Sequence, residues 1–394
     1  MRIAFITHYT ALYGANRSLL NLLDGLKRYQ VSAYVVSPRE GEITDALRER
    51  GIPIAIMPIR YWMSTRPSSG GGLKWIYRYM RWKYKALKRL YRNFHVLLPL
   101  MRQLRAWDVD LIYTNSSVIP VGALAAKCLQ LPHVWHLREL GDLDYGLHPD
   151  WGRRIFRYLV GSSNAIIANS EAVRSHLLRG VRNGHVYVIY NGVAWEADFD
   201  RLRELAQEER KYQRPYTFAL VGFIHPNKGQ ETAIRALAIA AKRFPDIRLL
   251  IVGGGDTTHL KRIATESGVI DNVEFWGYIQ NPYKAYLTAD AVLMCSKYEA
   301  MGRVTAEAMS ACRPVIGYES GGTVEIIEHE HTGLLYRGGP ESLATCMIRF
   351  IENPEWARQL GENGWQVARK KYSIEVYSEK VYQVLCSVVK RKLG

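Results

Sequence analysis

Apolar residues along this chain fall into short dense runs separated by longer amphipathic stretches. Runs at 2–7, 33–37, 54–57, 110–115, 133–137, 165–170 and 186–193 predict strands in the first half. Runs at 217–222, 247–252, 273–278, 291–294, 315–316 and 333–336 predict strands in the second. The strand runs are almost uniformly apolar, as expected where both sheet faces are covered. Between them, stretches such as 16–29, 43–50, 122–129, 232–243 and 303–311 have helical composition and spacing. From 333 onward the chain reads as a strand followed by helices over 343–352, 354–371 and 373–392. Strand and helix alternating throughout predicts an α/β architecture with parallel sheets.

Length adds a division. A chain of 394 residues exceeds what one hydrophobic core ordinarily serves, so two domains are expected. A hydrophobic fraction of 48% with 23% charged residues is ordinary globular composition. Met1 runs straight into a strand, and no apolar run approaches the roughly 20 residues of a membrane span. The five cysteines, Cys128, Cys295, Cys312, Cys346 and Cys386, are scattered without metal-site spacing, which suits reduced thiols of an intracellular protein.

Charge changes the picture more. The net charge is +16, and between Arg60 and Trp107 there are twelve Lys or Arg and no Asp or Glu. After a Ser68-Ser69-Gly70-Gly71-Gly72 break, a predicted helix over 73–105 mixes these cations with Trp75, Tyr77, Tyr79, Trp82, Tyr84, Tyr91 and Phe94. Cations beside interfacial aromatics suit an anionic membrane surface. The same composition suits nucleic acid, where cations meet phosphates and aromatics stack on bases. A helix that packs its aromatics inward and solvates its charges is the plain structural alternative.

Candidate chemistry centres on 296–322, SKYEAMGRVTAEAMSACRPVIGYESGG. A strand leads into a loop carrying Glu299. Gly302 permits a tight turn, and a helix starting at Arg303 carries Glu307 one turn in. Strand, glycine turn and helix N-terminus make an anion site of backbone amides. A diphosphate flanked by hydroxyl-bearing groups fits amides with a carboxylate at either end. A second such turn follows Gly222, where Lys228 supplies a point charge and Gly229 the bend. At strand carboxyl ends in the first half lie Asn115, Ser116, His136, Arg138 and Glu139, the positions at which open α/β sheets bind ligands.

The run E-A-M-G-R-V-T-A-E-A-M-S-A, followed by G-G-T-V-E-I-I and H-T-G-L-L-Y, resembles the retaining glycosyltransferases of family 4. The resemblance implies the GT-B fold: two Rossmann-like domains with parallel sheets facing each other across a cleft. It implies an acceptor-side domain over 1–190, a donor-binding domain over 191–372 and a C-terminal helix over 373–394 that crosses back. The donor would be a nucleoside diphosphate sugar. Gly14, Gly222, Lys228 and the amides of Gly302, Arg303 and Val304 would meet the diphosphate, and Tyr278 would lie beside the base. Glu307 would hold the ribose and Glu299 the sugar. His136, in H-V-W-H-L-R-E-L, would reach the sugar from the other domain, so that Glu299, His136 and Lys228 form the catalytic set. Asn115, Arg138 and Glu139 would lie on the acceptor side.

Phe223 stands where the family often has an arginine paired with the lysine, leaving Lys228 alone or with Arg303 in its place. No paired-carboxylate loop is present, so neither metal nor other cofactor is expected. Family acceptors are often lipid-linked, which implies a cytoplasmic protein peripheral to the inner membrane face, in cell-surface polysaccharide assembly, with no nucleic acid partner. The alternatives are a nucleotide-sugar epimerase of the same fold and a nucleic-acid-binding protein.

Overall fold

The structure, a computed structural model, describes residues 1–67, 70, 72–209 and 214–393. Residues 68, 69 and 71 of the Ser/Gly break therefore lie outside the described residues. The chain forms two compact units, residues 1–191 with 377 onward, and residues 192–376.

The first unit contains β1 (Arg2–Ile6), β2 (Ser32–Ser37), β3 (Ile54–Ile56), β4 (Met63–Thr65), β5 (Leu111–Thr114), β6 (His133–Leu137), β7 (Leu147–Pro149), β8 (Ala165–Ala168) and β9 (Val186–Val188). Seven of these make one parallel sheet in the order β3-β2-β1-β5-β6-β8-β9. The other two, β4 and β7, pair antiparallel, Met63 opposite Pro149. Neither was legible in the sequence, because three residues are too few to leave a pattern. The helix Gly152–Gly161 was also unforeseen; two of its three apolar inward positions, Phe156 and Leu159, are separated by arginine and tyrosine.

The sheet is covered by helices that bury regularly spaced faces. Gly14–Leu26 contributes Leu19, Leu22, Leu23 and Leu26 to a core with Phe5, Val35 and Tyr113. Tyr377, Val381, Leu385 and Val388 of the last helix belong to the same core. Each such side chain contributes roughly 1.5–3 kcal/mol by leaving water. Asn16, near the start of the first helix, does not cap it. It is buried inside it, donating from Nδ2 to the carbonyls of Tyr9 and Ala11 and accepting from Thr7 Oγ1 at 2.7 Å. It thereby fixes the loop that follows β1.

The second unit contains β10 (Thr217–Val221), β11 (Arg248–Val252), β12 (Val273–Gly277), β13 (Ala291–Met294), β14 (Val315–Tyr318) and β15 (Gly333–Tyr336), a parallel sheet ordered β12-β11-β10-β13-β14-β15. Its core joins Phe218, Leu249, Ile251 and Leu293 to Leu237 and to Leu343, Met347 and Phe350. Residues 373–376, expected to leave with the last helix, stay here. Ser373 bridges to Ala194, and the Ile374 amide donates to the Ala194 carbonyl at 2.8 Å.

In each sheet the strand order reverses once, between β1 and β5 and between β10 and β13. The loops that leave the carboxyl ends of those strands are pushed apart and leave room for a ligand.

Candidate active site

The reversal in the second sheet lies between the loop after β10, carrying Lys228, and the loop after β13, carrying Glu299. Lys228 Nζ donates to Glu299 Oε2 at 2.8 Å, with the two side chains 30% and 16% exposed. The lysine ends a short turn, Pro226–Lys228, and Gly229 bends the chain at φ +74° into the helix Gln230–Ala241. A Cβ on Gly229 would meet the Cys295 carbonyl oxygen at 2.5 Å. Only a glycine lets this turn rest on the backbone that leaves β13.

The Glu299 loop is held from beneath by Gly321 and Gly322. A Cβ on Gly321, which has φ +57°, would lie 2.5 Å from the Glu299 carbonyl oxygen, and one on Gly322 2.5 Å from that of Ala300. The Gly322 amide donates to the Glu299 carbonyl at 2.8 Å. Gly302, at φ +81°, then turns the chain into the helix Arg303–Ser310. The amides of Arg303 and Val304 have no acceptor within that helix. Thr305 Oγ1, buried beside Gly302, has no hydrogen-bond partner among the described residues. An orphaned buried hydroxyl at a helix start is a donor that no local sequence pattern singles out.

Glu307 lies one turn deeper and is 5% exposed. Its Oε1 accepts from Arg303 Nε at 2.6 Å and its Oε2 from the Tyr286 hydroxyl at 2.8 Å. Each carboxylate oxygen keeps a second lone pair for a ligand hydroxyl. Burial and the Glu307 charge push the Tyr286 hydroxyl far above its ordinary range, so it stays a donor. Arg303 also donates to the Gly192 carbonyl at 3.3 Å.

Gly222 continues β10, its amide donating to Val252 O at 2.8 Å, and a Cβ on Gly253 would fall 1.9 Å from the Gly222 oxygen. The Gly253-Gly254-Gly255 trio thus lets the loops after β10 and β11 touch backbone to backbone. Tyr278, 48% exposed, stands against Gly254. Phe223, where a cation was the family's habit, is 48% exposed. Glu299, Glu307, Lys228, Arg303 and Gly302 are brought together as the sequence suggested.

The first unit departs from expectation. The exposed Gly14 is the first residue of its helix, but the other five, Asn115, Ser116, His136, Arg138 and Glu139, are interior. His136 is fully buried, bonded through Nδ1 to the Tyr113 hydroxyl, and burial holds its imidazole well below the usual range. Every position of β6 is covered, so a histidine on either face is inside. Arg138 donates to Asn115 Oδ1 at 2.8 Å, Asn191 Oδ1 at 2.5 Å and the Tyr377 hydroxyl at 2.9 Å. Glu139 accepts from Ser116 Oγ at 2.7 Å and from the Ser117 amide and hydroxyl at 3.1 and 3.0 Å. These groups knit the strand ends together, because buried charge must be hydrogen-bonded. They lie in the interior and not on an open strand-end face, and Asn115 Nδ2 and His136 Nε2 keep no partner among the described residues.

Sequence reasoning passed over His8 altogether. It follows β1 at the reversal of the first sheet, with Nε2 3.6 Å from Glu139 Oε1 and Nδ1 without a partner among the described residues. Burial lowers its pKa to about 4. Asp144 lies near the same carboxylate, and burial raises its pKa to about 7.

Two family descriptions cover most of the chain: "Glycosyltransferase Family 4" over residues 13–196 and "Glycosyl transferases group 1" over residues 203–367. An uncharacterized glycosyltransferase of Methanocaldococcus jannaschii is 30% identical over 284 residues, 67% of this chain and 71% of that one. D-inositol 3-phosphate glycosyltransferase 2 of Catenulispora acidiphila is 28% identical over 309 residues, 68% and 71% of the two chains. Among solved structures, Anabaena HepE in complex with UDP matches with a TM-score of 0.79 at 22% identity, covering 98% of this chain and all of that one. HepE has also been solved with UDP-glucose.

The fold is GT-B, and the class is glycosyltransferase. The chain belongs to glycosyltransferase family 4.

Proposed function

We propose that this glycosyltransferase moves a sugar from a nucleoside diphosphate sugar to an acceptor hydroxyl with retention of anomeric configuration, the acceptor being a lipid-linked or membrane-surface glycan of cell-surface polysaccharide assembly. The observation that carries the donor reading is the interleaving of Lys228–Glu299 with Arg303–Glu307 around the Gly302 helix start. Two cations, the first helical amides and the orphaned Thr305 hydroxyl converge where a diphosphate would place its charge. Two carboxylates lie beside them where hydroxyls would need acceptors. The structures of HepE with UDP and UDP-glucose support the same donor class.

In this reading the leaving diphosphate exchanges for Glu299 as the partner of Lys228, freeing the carboxylate to orient the sugar. Glu307 accepts from the ribose hydroxyls, and Tyr278 lies beside the base. Negative charge building on the diphosphate is met by Lys228, Arg303 and fixed amides, which need no reorganisation, without a metal or other cofactor.

Thermal unfolding against UDP, GDP, ADP and CDP, with and without magnesium, tests the donor site. One nucleotide at a hundred times its Kd should stabilise the protein by about 2.7 kcal/mol, a shift of a few degrees. The shift should vanish in Glu307→Ala and shrink in Glu307→Gln, which preserves the packing. A shift with none of the four would remove the donor reading. Incubating the preferred donor with acceptor and reading the product anomer by NMR tests retention, and free sugar released without acceptor would replace transfer by hydrolysis or epimerisation.

A further inference from the structure

The helix Leu73–Ala106 carries two apolar stripes, of which the first unit uses one. Trp82, Ala86, Val96, Leu100 and Leu104 are buried against the unit. Polar anchors hold this face down: Trp82 Nε1 donates to Ser64 Oγ at 2.8 Å, Asn93 exchanges two bonds with the Arg60 backbone, and Arg89 pairs with buried Asp150 at 2.7 Å. Two residues out of step, roughly 200° around the helix, runs the second stripe. Tyr77, Met80, Tyr84, Leu87, Tyr91 and Phe94 repeat at alternating intervals of three and four, extended by Leu73 and Leu98 at the ends, and all eight are between 54% and 85% exposed. The stripe is about 38 Å long. Nothing in its own unit covers it among the described residues.

Charge selects the occupant. The helix has ten Lys or Arg and no Asp or Glu. Lys74, Arg78, Arg81, Lys85, Lys88 and Arg92 flank the stripe, are exposed and make no ion pair among the described residues. A second copy of this helix would set cation against cation, without the opposite charges that make such a seam stable. An anionic bilayer offers what both features need, phosphates for the cations and an interfacial layer for tyrosines and aliphatic side chains. The same character continues nearby. Lys83 Nζ sits 5.5 Å from the Trp151 ring, and Trp151 opens the helix Gly152–Gly161, where Ile155 and Tyr158 are 50% and 67% exposed beside Arg153 and Arg154. Among the described residues no helix is long and apolar enough to cross a membrane.

We infer that the exposed stripe of Leu73–Ala106 is a docking surface for an anionic lipid bilayer, with the helix lying in the plane of the headgroups. The surface is distinct from the donor site and stands independently of the transferase reading.

The test is cosedimentation of the full chain with phosphatidylglycerol/phosphatidylcholine vesicles and with phosphatidylcholine alone. The wild type should bind the anionic vesicles and partition weakly into the neutral ones. Tyr84→Gln/Leu87→Gln/Tyr91→Gln should lower partition at least about tenfold. The melting temperature should hold, because these side chains are solvent-exposed. Arg81→Gln/Lys85→Gln/Lys88→Gln should lower vesicle partition similarly and flatten its salt dependence. Nucleoside diphosphate binding, measured on the same samples, should be unchanged in both variants. Failure of the wild type to bind anionic vesicles would overturn the inference. So would full binding by the glutamine triple at the stripe, or a lipid-free dimer in sedimentation velocity that this variant dissociates. Tight binding of the wild type to DNA, lost in the charge variant, with none to vesicles, would do the same.

Discussion

Lys228 and Glu299 show how little of a site one residue can specify. A lysine after a strand-end glycine and a glutamate before another are common, and what distinguishes these is a 2.8 Å contact across 71 residues of sequence. If that contact is the resting form of a diphosphate clamp, Lys228→Ala should lower kcat/KM by about 10²–10³ with little effect on the melting temperature. Glu299→Gln should lower kcat more than it raises KM if the proposed contact with the sugar holds; steady-state nucleotide release would read both. Glu307 differs in kind. It is nearly buried against Arg303, so Arg303→Leu should cost on the order of 3–5 kcal/mol by leaving a carboxylate uncompensated. Chemical denaturation of that variant checks it, and a loss below about 1 kcal/mol would mean that water already reaches the pair.

At the scale of elements, the glycines under the Glu299 loop carry the geometry. Gly321→Ala meets both a left-handed φ and the Glu299 carbonyl, whereas Gly268, at φ +70°, has nothing within 4 Å of a Cβ. Gly268→Ala should therefore cost about 1 kcal/mol from backbone strain alone, and Gly321→Ala more, up to about 3 kcal/mol with loss of nucleotide binding. Equal destabilisation of the two variants would argue that the loop yields freely. The sequence announced these glycines but not their partners. The reason for Gly253-Gly254-Gly255 is contact with Gly222, a residue 31 positions before Gly253. The long basic helix was legible in its composition, but not which of its two stripes faced inward, because both repeat at helical spacing.

For the whole molecule, pH offers a way to separate the units. His8, His133 and His136 are buried in the first unit, with pKa values lowered to about 4, to about 3 and well below the usual range. Depressed histidines contribute stability above pH 6.5, and it is lost as pH falls toward 4 and below. The His8 and His133 shifts are each worth on the order of 3–5 kcal/mol when the unfolded state alone is protonated, and His136 acts in the same direction. Asp144 has the opposite sign: its raised pKa of about 7 makes its contribution largest below pH 4 and absent above 7. Hydrogen exchange of β1, β5 and β6 between pH 7.5 and 5 should accelerate on acidification, after correction for intrinsic rates, ahead of β10 and β13. Asp144→Asn should steepen the acid loss between pH 7 and 4, because it removes the term that opposes it. Unchanged protection in β1 and β6 at pH 5 would contradict neutral burial of these histidines.

What the sequence determined by itself was periodicity and local chemistry: dense apolar runs that only a twice-covered parallel sheet accommodates, glycines before helix starts, and a run from Ser296 to Tyr336 specific enough to indicate the family. These are properties of near neighbours in the chain, and side chains a few residues apart impose them. The tertiary structure alone decided which polar residues are buried and which pair with one another. His136, Arg138 and Glu139 sit at strand ends as the rule for α/β sheets requires, yet they are buried against Tyr113, Asn115, Ser116, Asn191 and Tyr377, with His8 beside Glu139. Burial is a sum over contacts from distant parts of the chain, and no local pattern contains it.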